Sequence, residues 1–125
     1  APVEVAADNL TVDQSSGSAV FTGNVVIGQG DLRLSAGTVQ VIYSEATGDI
    51  ARLVASNGVT FVTATEAAEA QNATYDLTTG VMTLTGNVLL TQGVSALSAE
   101  KMTVNVNTGS AQMSGRVRTV FQQGN

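Results

Sequence analysis

Two pairs of acidic residues are the groups in this sequence whose spacing best suits a chemical role. Glu66 and Glu69 are three residues apart, and Asp8 and Asp13 are five apart. Two carboxylates that flank a glycosidic bond can hydrolyse it as acid and base or as acid and nucleophile. Neither pair is accompanied by aromatic side chains that would stack on a sugar, so we interpret all four residues as surface acids.

The rest of the amino-acid composition excludes most catalytic mechanisms. The sequence contains no His and no Cys, so the usual proton shuttle and commonest metal ligand is missing. The segment "GQGD" at residues 28–31 has no Lys and is too short for a phosphate-binding loop. The turns that contain Gly and Asp do not follow the nonapeptide pattern of calcium-binding β-rolls. We therefore expect no enzyme activity, no cofactor and no metal site.

Charge and length restrict the partners and the architecture. Ten acidic and five basic residues give a net charge of −5, and they are spread singly along the chain, which argues against a nucleic-acid partner. No apolar run approaches the roughly 20 residues of a membrane span. The start "APVEVAAD" is what cleavage of an Ala-ending signal peptide would leave, which predicts export. A length of 125 residues suits one domain, residues 1–125.

An internal repeat indicates the secondary-structure elements of the chain. "FTGNVVIGQG" at residues 21–30 returns as "LTGNVLLTQG" at residues 84–93, and four such units divide the chain. Within the units, "SAVFT", "VMTLT" and "SAQMS" alternate apolar with polar residues, and a period of two is typical of a strand. The stretches "DQSSGS", "SEATGD", "DLTTGV" and "NVNTGS" have the chemistry of tight turns. We interpret each "TGNV" as a sharp corner between two short strands.

The same alternation runs through the remaining sequence and predicts an all-β, antiparallel fold of about 14 to 16 short strands. One segment is ambiguous, because "TEAAEAQNA" at residues 65–73 has the composition of a helix. It is either a short helix or a bowed edge of the sheet with Ala67 and Ala73 facing inward.

The inner face of this sheet is aliphatic. Hydrophobic residues make up 43% of the chain, yet it has three Phe, two Tyr and no Trp. Large aromatic side chains usually fill the space between packed sheets. Such a sheet either packs on itself or lines a groove for another apolar molecule, and composition alone favours self-packing.

Longer segments resemble a known family. "FTGNVVIGQGDLRLSAGTVQV" and "TYDLTTGVMTLTGNVLLTQG" resemble the OstA-like family of lipopolysaccharide-transport proteins, and "PVEVAAD" and "SGRVRTVF" fit it too. The chain is most similar to the family's periplasmic bridge component. The resemblance implies a single folded-over β-jelly roll with an open hydrophobic groove. It also implies that lipid A acyl chains of lipopolysaccharide travel in this groove from the inner to the outer membrane.

The resemblance further implies which residues contact lipid. The family's lipid-contacting positions correspond to Val3, Phe61, Tyr75 and Leu77. Alternation adds further positions as groove or core: Val5, Phe21, Ile27, Leu34, Val41, Leu84, Leu90, Val104 and Met113.

The resemblance also implies partners. Members stack end to end, as head-to-tail homo-oligomers or with inner-membrane and outer-membrane transport components, through edge strands. The corresponding docking edges here are Val3, Glu4 and Val5 in the first strand and Arg116, Val117 and Arg118 in the last.

The chain departs from the family in being short between Tyr43 and Val59 and in lacking lysine-rich loops. We interpret the basic residues Arg33, Lys101, Arg116 and Arg118 as solvated surface charges. Three alternatives stay open: a structural β-repeat module such as a stalk or adhesin segment, the periplasmic domain of the inner-membrane component, and the amino-terminal domain of the outer-membrane translocon.

Overall fold

The computed structural model describes residues 2–15 and 17–120. All regular secondary structure in these residues is β-strand, and they include no helix long and apolar enough to cross a membrane. The twelve strands are β1 (Glu4–Ala6), β2 (Asn9–Asp13), β3 (Ser18–Gln29), β4 (Leu32–Tyr43), β5 (Ile50–Ser56), β6 (Val59–Val62), β7 (Glu66–Ala70), β8 (Asn72–Asp76), β9 (Val81–Gln92), β10 (Ser95–Asn105), β11 (Ala111–Ser114) and β12 (Arg118–Val120).

Four long strands organise the sheet. Strands β3, β4, β9 and β10 are 11 or 12 residues long, and each pairs with different neighbours along its two halves. The single antiparallel sheet therefore consists of two eight-stranded halves that share these strands. The first half has the order β2-β3-β4-β5-β8-β9-β10-β11, and the second has β1-β3-β4-β6-β7-β9-β10-β12.

The halves meet at β-bulges. The register of β3 against β4 shifts between Thr22 and Val25, where Gly23 and Asn24 both have positive φ, 81° and 49°. A bulge bends its strand and increases the local twist. The interpretation of "TGNV" as a corner between two short strands is therefore wrong, because the bend lies inside one long strand. For the same reason, the described residues form twelve strands and not 14 to 16.

The bulge recurs with one set of contacts, which explains the repeated sequence. In three units a residue at the bend donates its backbone N–H to the carbonyl oxygen of a glycine beside it, and its side chain lies against that glycine. Asp8 lies between β1 and β2 and Gln71 between β7 and β8, whereas Glu100 lies in β10, opposite Gly115 in the connection between β11 and β12. The N···O distances are 2.9 Å for Asp8 to Gly23, 3.0 Å for Gln71 to Gly86, and 2.9 Å for Glu100 to Gly115. The glycine recurs because a side chain at its position would collide with this neighbour.

The ambiguous segment at residues 65–73 is strand, not helix. It contributes β7 and the start of β8, with the intervening Gln71 at the bulge of β9. Ala68 and Ala73 are buried on the inner face, at 1% and 3% exposure. The expectation that Ala67 faces inward is wrong, since Ala67 is the neighbour of Ala68 and successive strand residues point to opposite faces.

The two halves face each other across one hydrophobic core. Residues directly opposite on antiparallel strands share a face, so the pairing traces rows of side chains across the sheet, which we call ladders. One ladder in the first half comprises Val12, Ala19, Val41, Leu53, Tyr75, Met82, Val104 and Ala111. The second comprises Leu10, Phe21, Val39, Ala55, Ala73, Leu84, Met102 and Met113. The ladder of the other half comprises Val5, Ile27, Leu34, Phe61, Ala68, Leu90, Leu97 and Thr119.

The sheet is folded over but not closed. Strands β1 and β2 form one edge and pair with β3, while β11 and β12 form the other edge and pair with β10. Among the described strands no pairing joins these two edges. The predicted all-β, antiparallel architecture is confirmed, and the space between the halves stays accessible.

Candidate functional site

A cavity of ≈ 470 Å³ lies between the two halves. Its lining combines apolar side chains of the inner face with a few polar groups, which is typical of sites for amphipathic ligands. The large apolar side chains that line it are Leu32, Phe61, Tyr75, Leu77, Leu90, Met102, Val104 and Val106. Every one of these residues belongs to the core or packs against it, so the cavity is an opening in the core itself.

Strand connections form the mouth of this cavity. On one side lie Asp31, between β3 and β4, and Thr63, between β6 and β7. On the other side lie Gly80, between β8 and β9, and Asn107 and Gly109, between β10 and β11. These connections lie at the ends of the strands, whereas the bulges lie within the long strands. The cavity therefore opens on the side opposite the bend of the sheet.

One hydrogen bond crosses the cavity between the two halves. The Tyr75 hydroxyl, on β8 of the first half, donates to the Oε1 atom of Gln29, at the end of β3 in the second half, at 3.3 Å. Burial raises the pKa of the Tyr75 hydroxyl above its usual value, so it keeps its proton and remains a donor at neutral pH. Both residues line the cavity.

The thirteen residues predicted for the groove all lie in the core or against it. Buried residues among them are Ile27, Leu34, Val41, Phe61, Tyr75, Leu84 and Leu90. Residues partly buried against the core are Val3, Val5, Phe21, Leu77, Val104 and Met113. Five of the thirteen line the cavity, namely Phe61, Tyr75, Leu77, Leu90 and Val104. These thirteen side chains face inward, as the alternation of apolar and polar residues predicts. Their contact with lipid stays a prediction.

Several cavity residues were not singled out from the sequence. Leu32 and Met102 continue the alternation of Leu34 and Val104, so the same period of two could have identified them. Glu66, interpreted as a surface acid, is half-buried at the mouth, whereas Glu69 is exposed on the outer face. The two glutamates therefore do not form a carboxylate pair.

The other acids have structural contacts. Asp8 lies against the bulge at Gly23 and accepts a hydrogen bond from the Asn24 amide at 3.0 Å. Asp13 accepts from the backbone and hydroxyl of Ser15 at 3.0 and 2.6 Å in a turn. Within residues 2–15 and 17–120, no cluster of acidic side chains could hold a metal ion.

The basic residues lie away from the cavity. No Lys or Arg is among the described residues that line it. The Arg33 Nη1 atom donates to the carbonyl oxygens of Gly30 and Leu32, at 2.7 and 2.8 Å. Arg116 Nε lies 3.7 Å from Glu100 Oε1, with the two side chains 90% and 66% exposed. An ion pair this exposed contributes little to stability.

The predicted docking edges lie where the sheet ends. Glu4 and Val5 belong to β1, which pairs with β3, and Val3 directly precedes it. Arg118 belongs to β12, which pairs with β10, and Val117 directly precedes it with 48% of its surface exposed. Both strands keep a free backbone edge, as far as the described residues extend. Phe121, in the quoted segment "SGRVRTVF", lies outside the described residues.

Comparison with known proteins identifies the family. A protein of Rhizobium meliloti (strain 1021) is 30% identical in an alignment 128 residues long. The alignment covers 94% of this chain and 69% of that protein. LptH, the LptA-homologous periplasmic component of the lipopolysaccharide transport device of Pseudomonas aeruginosa, has a crystal structure that matches with a TM-score of 0.88. The match covers 98% of this chain and 96% of the LptH chain, at 19% sequence identity. It confirms the β-jelly-roll fold.

The family assignment itself rests on sequence. The family model described as "LptA/(LptD N-terminal domain) LPS transport protein" matches residues 4–110, which is most of the chain. The protein therefore belongs to the LptA/LptD N-terminal domain family of lipopolysaccharide transport proteins.

Proposed function

We propose that this protein is a periplasmic bridge that shelters the lipid A acyl chains of lipopolysaccharide during transport from the inner to the outer membrane. The observation that carries the proposal is the apolar cavity between the two halves of an unclosed sheet. A self-packed structural module would not need such a cavity. The structural likeness to LptH, a periplasmic component of a lipopolysaccharide transport device, supports a role in the periplasm.

The chemistry of the cavity suits a passing acyl chain. Acyl chains offer no directional contacts, and each buried methylene group contributes about 0.8 kcal/mol. Complete burial of several chains would sum to tens of kcal/mol, beyond the range of reversible complexes. A cavity that stays open along one side buries an acyl chain only partly, so that the ligand can be released.

Photocrosslinking from adjacent positions of β10 tests the proposed site. A photoreactive residue in place of Val104, which lines the cavity, is expected to crosslink to lipopolysaccharide several times more than one in place of Thr103. The reason is that neighbouring strand residues point to opposite faces. Gel-shift detection with an antibody to lipopolysaccharide measures both yields. Equal yields would contradict a lipid site between the halves.

We further propose that the edges β1 and β12 dock to neighbours. An unpaired strand edge offers backbone donors and acceptors that a second strand can use. The partners are a second copy of the chain, in head-to-tail order, and the inner-membrane and outer-membrane transport components. Glu4 opposite an Arg of the neighbour would help to set the register, with a contribution of about 0–1 kcal/mol.

Deletion of residues 116–125 tests this docking. The truncated protein is expected to lose concentration-dependent association, since β12 is removed while β1 to β11 keep their pairing. Sedimentation velocity at several concentrations measures the association, and circular dichroism verifies that the truncated protein is folded. Undiminished assembly of a folded truncated protein would show that β12 is not the docking edge.

A further inference from the structure

The volume of the cavity limits what it can hold. A methylene group fills about as much space as a water molecule, roughly 30 Å³. A cavity of ≈ 470 Å³ therefore has room for about fifteen such groups, which is one long acyl chain. A lipid that carries several acyl chains needs a wider groove than this conformation provides.

One hydrogen bond links the two halves across the cavity. Tyr75 and Gln29 are 46 residues apart in sequence and sit on opposite halves of the folded sheet. Their bond joins two neutral groups at 3.3 Å, longer than the roughly 2.5–3.0 Å usual for an O–H···O hydrogen bond, so it is weak enough to break during loading.

A separation of the halves would leave the strand pairing within each half intact. Each half keeps its own ladders, and the strands that connect the halves bend at bulges with positive-φ glycines, such as Gly23 and Gly86. A change of the bend angle at these bulges moves the mouth residues apart, because the mouth lies opposite the bulges. Tyr75 and Gln29 would separate in the same motion.

We propose that the groove in this conformation admits a single acyl chain, and that the Tyr75–Gln29 hydrogen bond is a latch which opens before a lipid with several chains can enter. The inference rests on the proposed lipid-carrier function and defines the ligand class of each state. The closed state takes single-chain amphiphiles, and the open state takes multi-acylated lipids.

Tyr75→Phe tests the latch, because it removes the hydroxyl and keeps the ring. The affinities of the full chain for a lysophospholipid with one 14-carbon chain and for hexa-acylated lipid A are measured by displacement of a fluorescent fatty acid. In Tyr75→Phe the ratio of lipid A affinity to lysophospholipid affinity is expected to rise about fivefold, the equivalent of one neutral hydrogen bond. Tyr43→Phe is the matched control, since Tyr43 is the other tyrosine and does not line the cavity, and its ratio should stay at the wild-type value.

A second variant breaks the same hydrogen bond without changing the Tyr75 side chain. Gln29→Leu removes the acceptor and should raise the same ratio, with circular dichroism used to verify folding. An unchanged ratio in both folded variants would overturn the latch while leaving the lipid-carrier function intact. Binding of neither lipid by the wild-type protein would instead overturn the proposed function and the latch with it.

Discussion

Replacing Gly86 with alanine is expected to lower the free energy of unfolding by about 3 kcal/mol. Gly86 has a φ of +85°, which costs an L-residue about 1–2 kcal/mol. The added Cβ would lie 2.5 Å from Oε1 and 2.8 Å from Cβ of Gln71. The amide end of Gln71 can rotate away, but its Cβ is fixed by the backbone, so overpacking adds about 1–3 kcal/mol.

Gly93→Ala is the matched control. Gly93 also has a positive φ, +60°, but an added Cβ would meet no atom within 4 Å. This variant should therefore lose only the conformational part, about 1–2 kcal/mol. Urea denaturation measures both, with an unchanged m-value as evidence that the unfolding transition is the same. Equal losses in the two variants would show that the contact between Gln71 and the bulge glycine has no energetic role.

Leu84→Ala is expected to be comparably severe, with a loss of about 2–5 kcal/mol. Leu84 is 0% exposed and lies inside the ladder that begins at Leu10, between Ala73 and Met102. Leu10 lies on the same inner face but is 54% exposed, because β2 ends the sheet. Leu10→Ala should cost less than about 1 kcal/mol, since partial burial leaves little cavity to create.

The same denaturation experiment decides this comparison, and thermal unfolding offers a second measurement. For a chain of this size, each 1 kcal/mol shifts Tm by roughly 4 °C. Leu84→Ala is then expected to lower Tm by about 8–20 °C, and Leu10→Ala by less than about 4 °C. A large loss in Leu10→Ala would mean that another part of the protein covers β2.

The inner face could be predicted from the sequence because side chains alternate strictly along a strand. Phe21, Leu84 and Met113 were assigned inward from alternation alone, and all three lie on one ladder. This inference needs no knowledge of which strands pair, so it succeeds in strands whose alternation is clear and fails for Ala67, in the alanine-rich β7.

The bulges and the mouth could not be predicted in the same way. A turn between two strands and a bulge within one strand both use glycine at positive φ, so "TGNV" is compatible with either until the pairing is known. Asp31 and Glu66 are 35 positions apart and meet at the mouth because the sheet folds over. The exposure of Leu10 and Val117 likewise depends on their being at the sheet edges, which no local pattern reveals.

The ladders also have a kinetic consequence. Neighbouring strands are about 4.8 Å apart, and nearly every step of a ladder presents another aliphatic or alanine side chain. In the proposed carrier, an acyl chain that moves by one strand would exchange one set of apolar contacts for an equivalent set, so its free energy would change little along the way. Such movement would be one-dimensional diffusion without a preferred direction. The direction of net flow would then be determined at the two ends, by the component that loads the first strands and the component that empties the last.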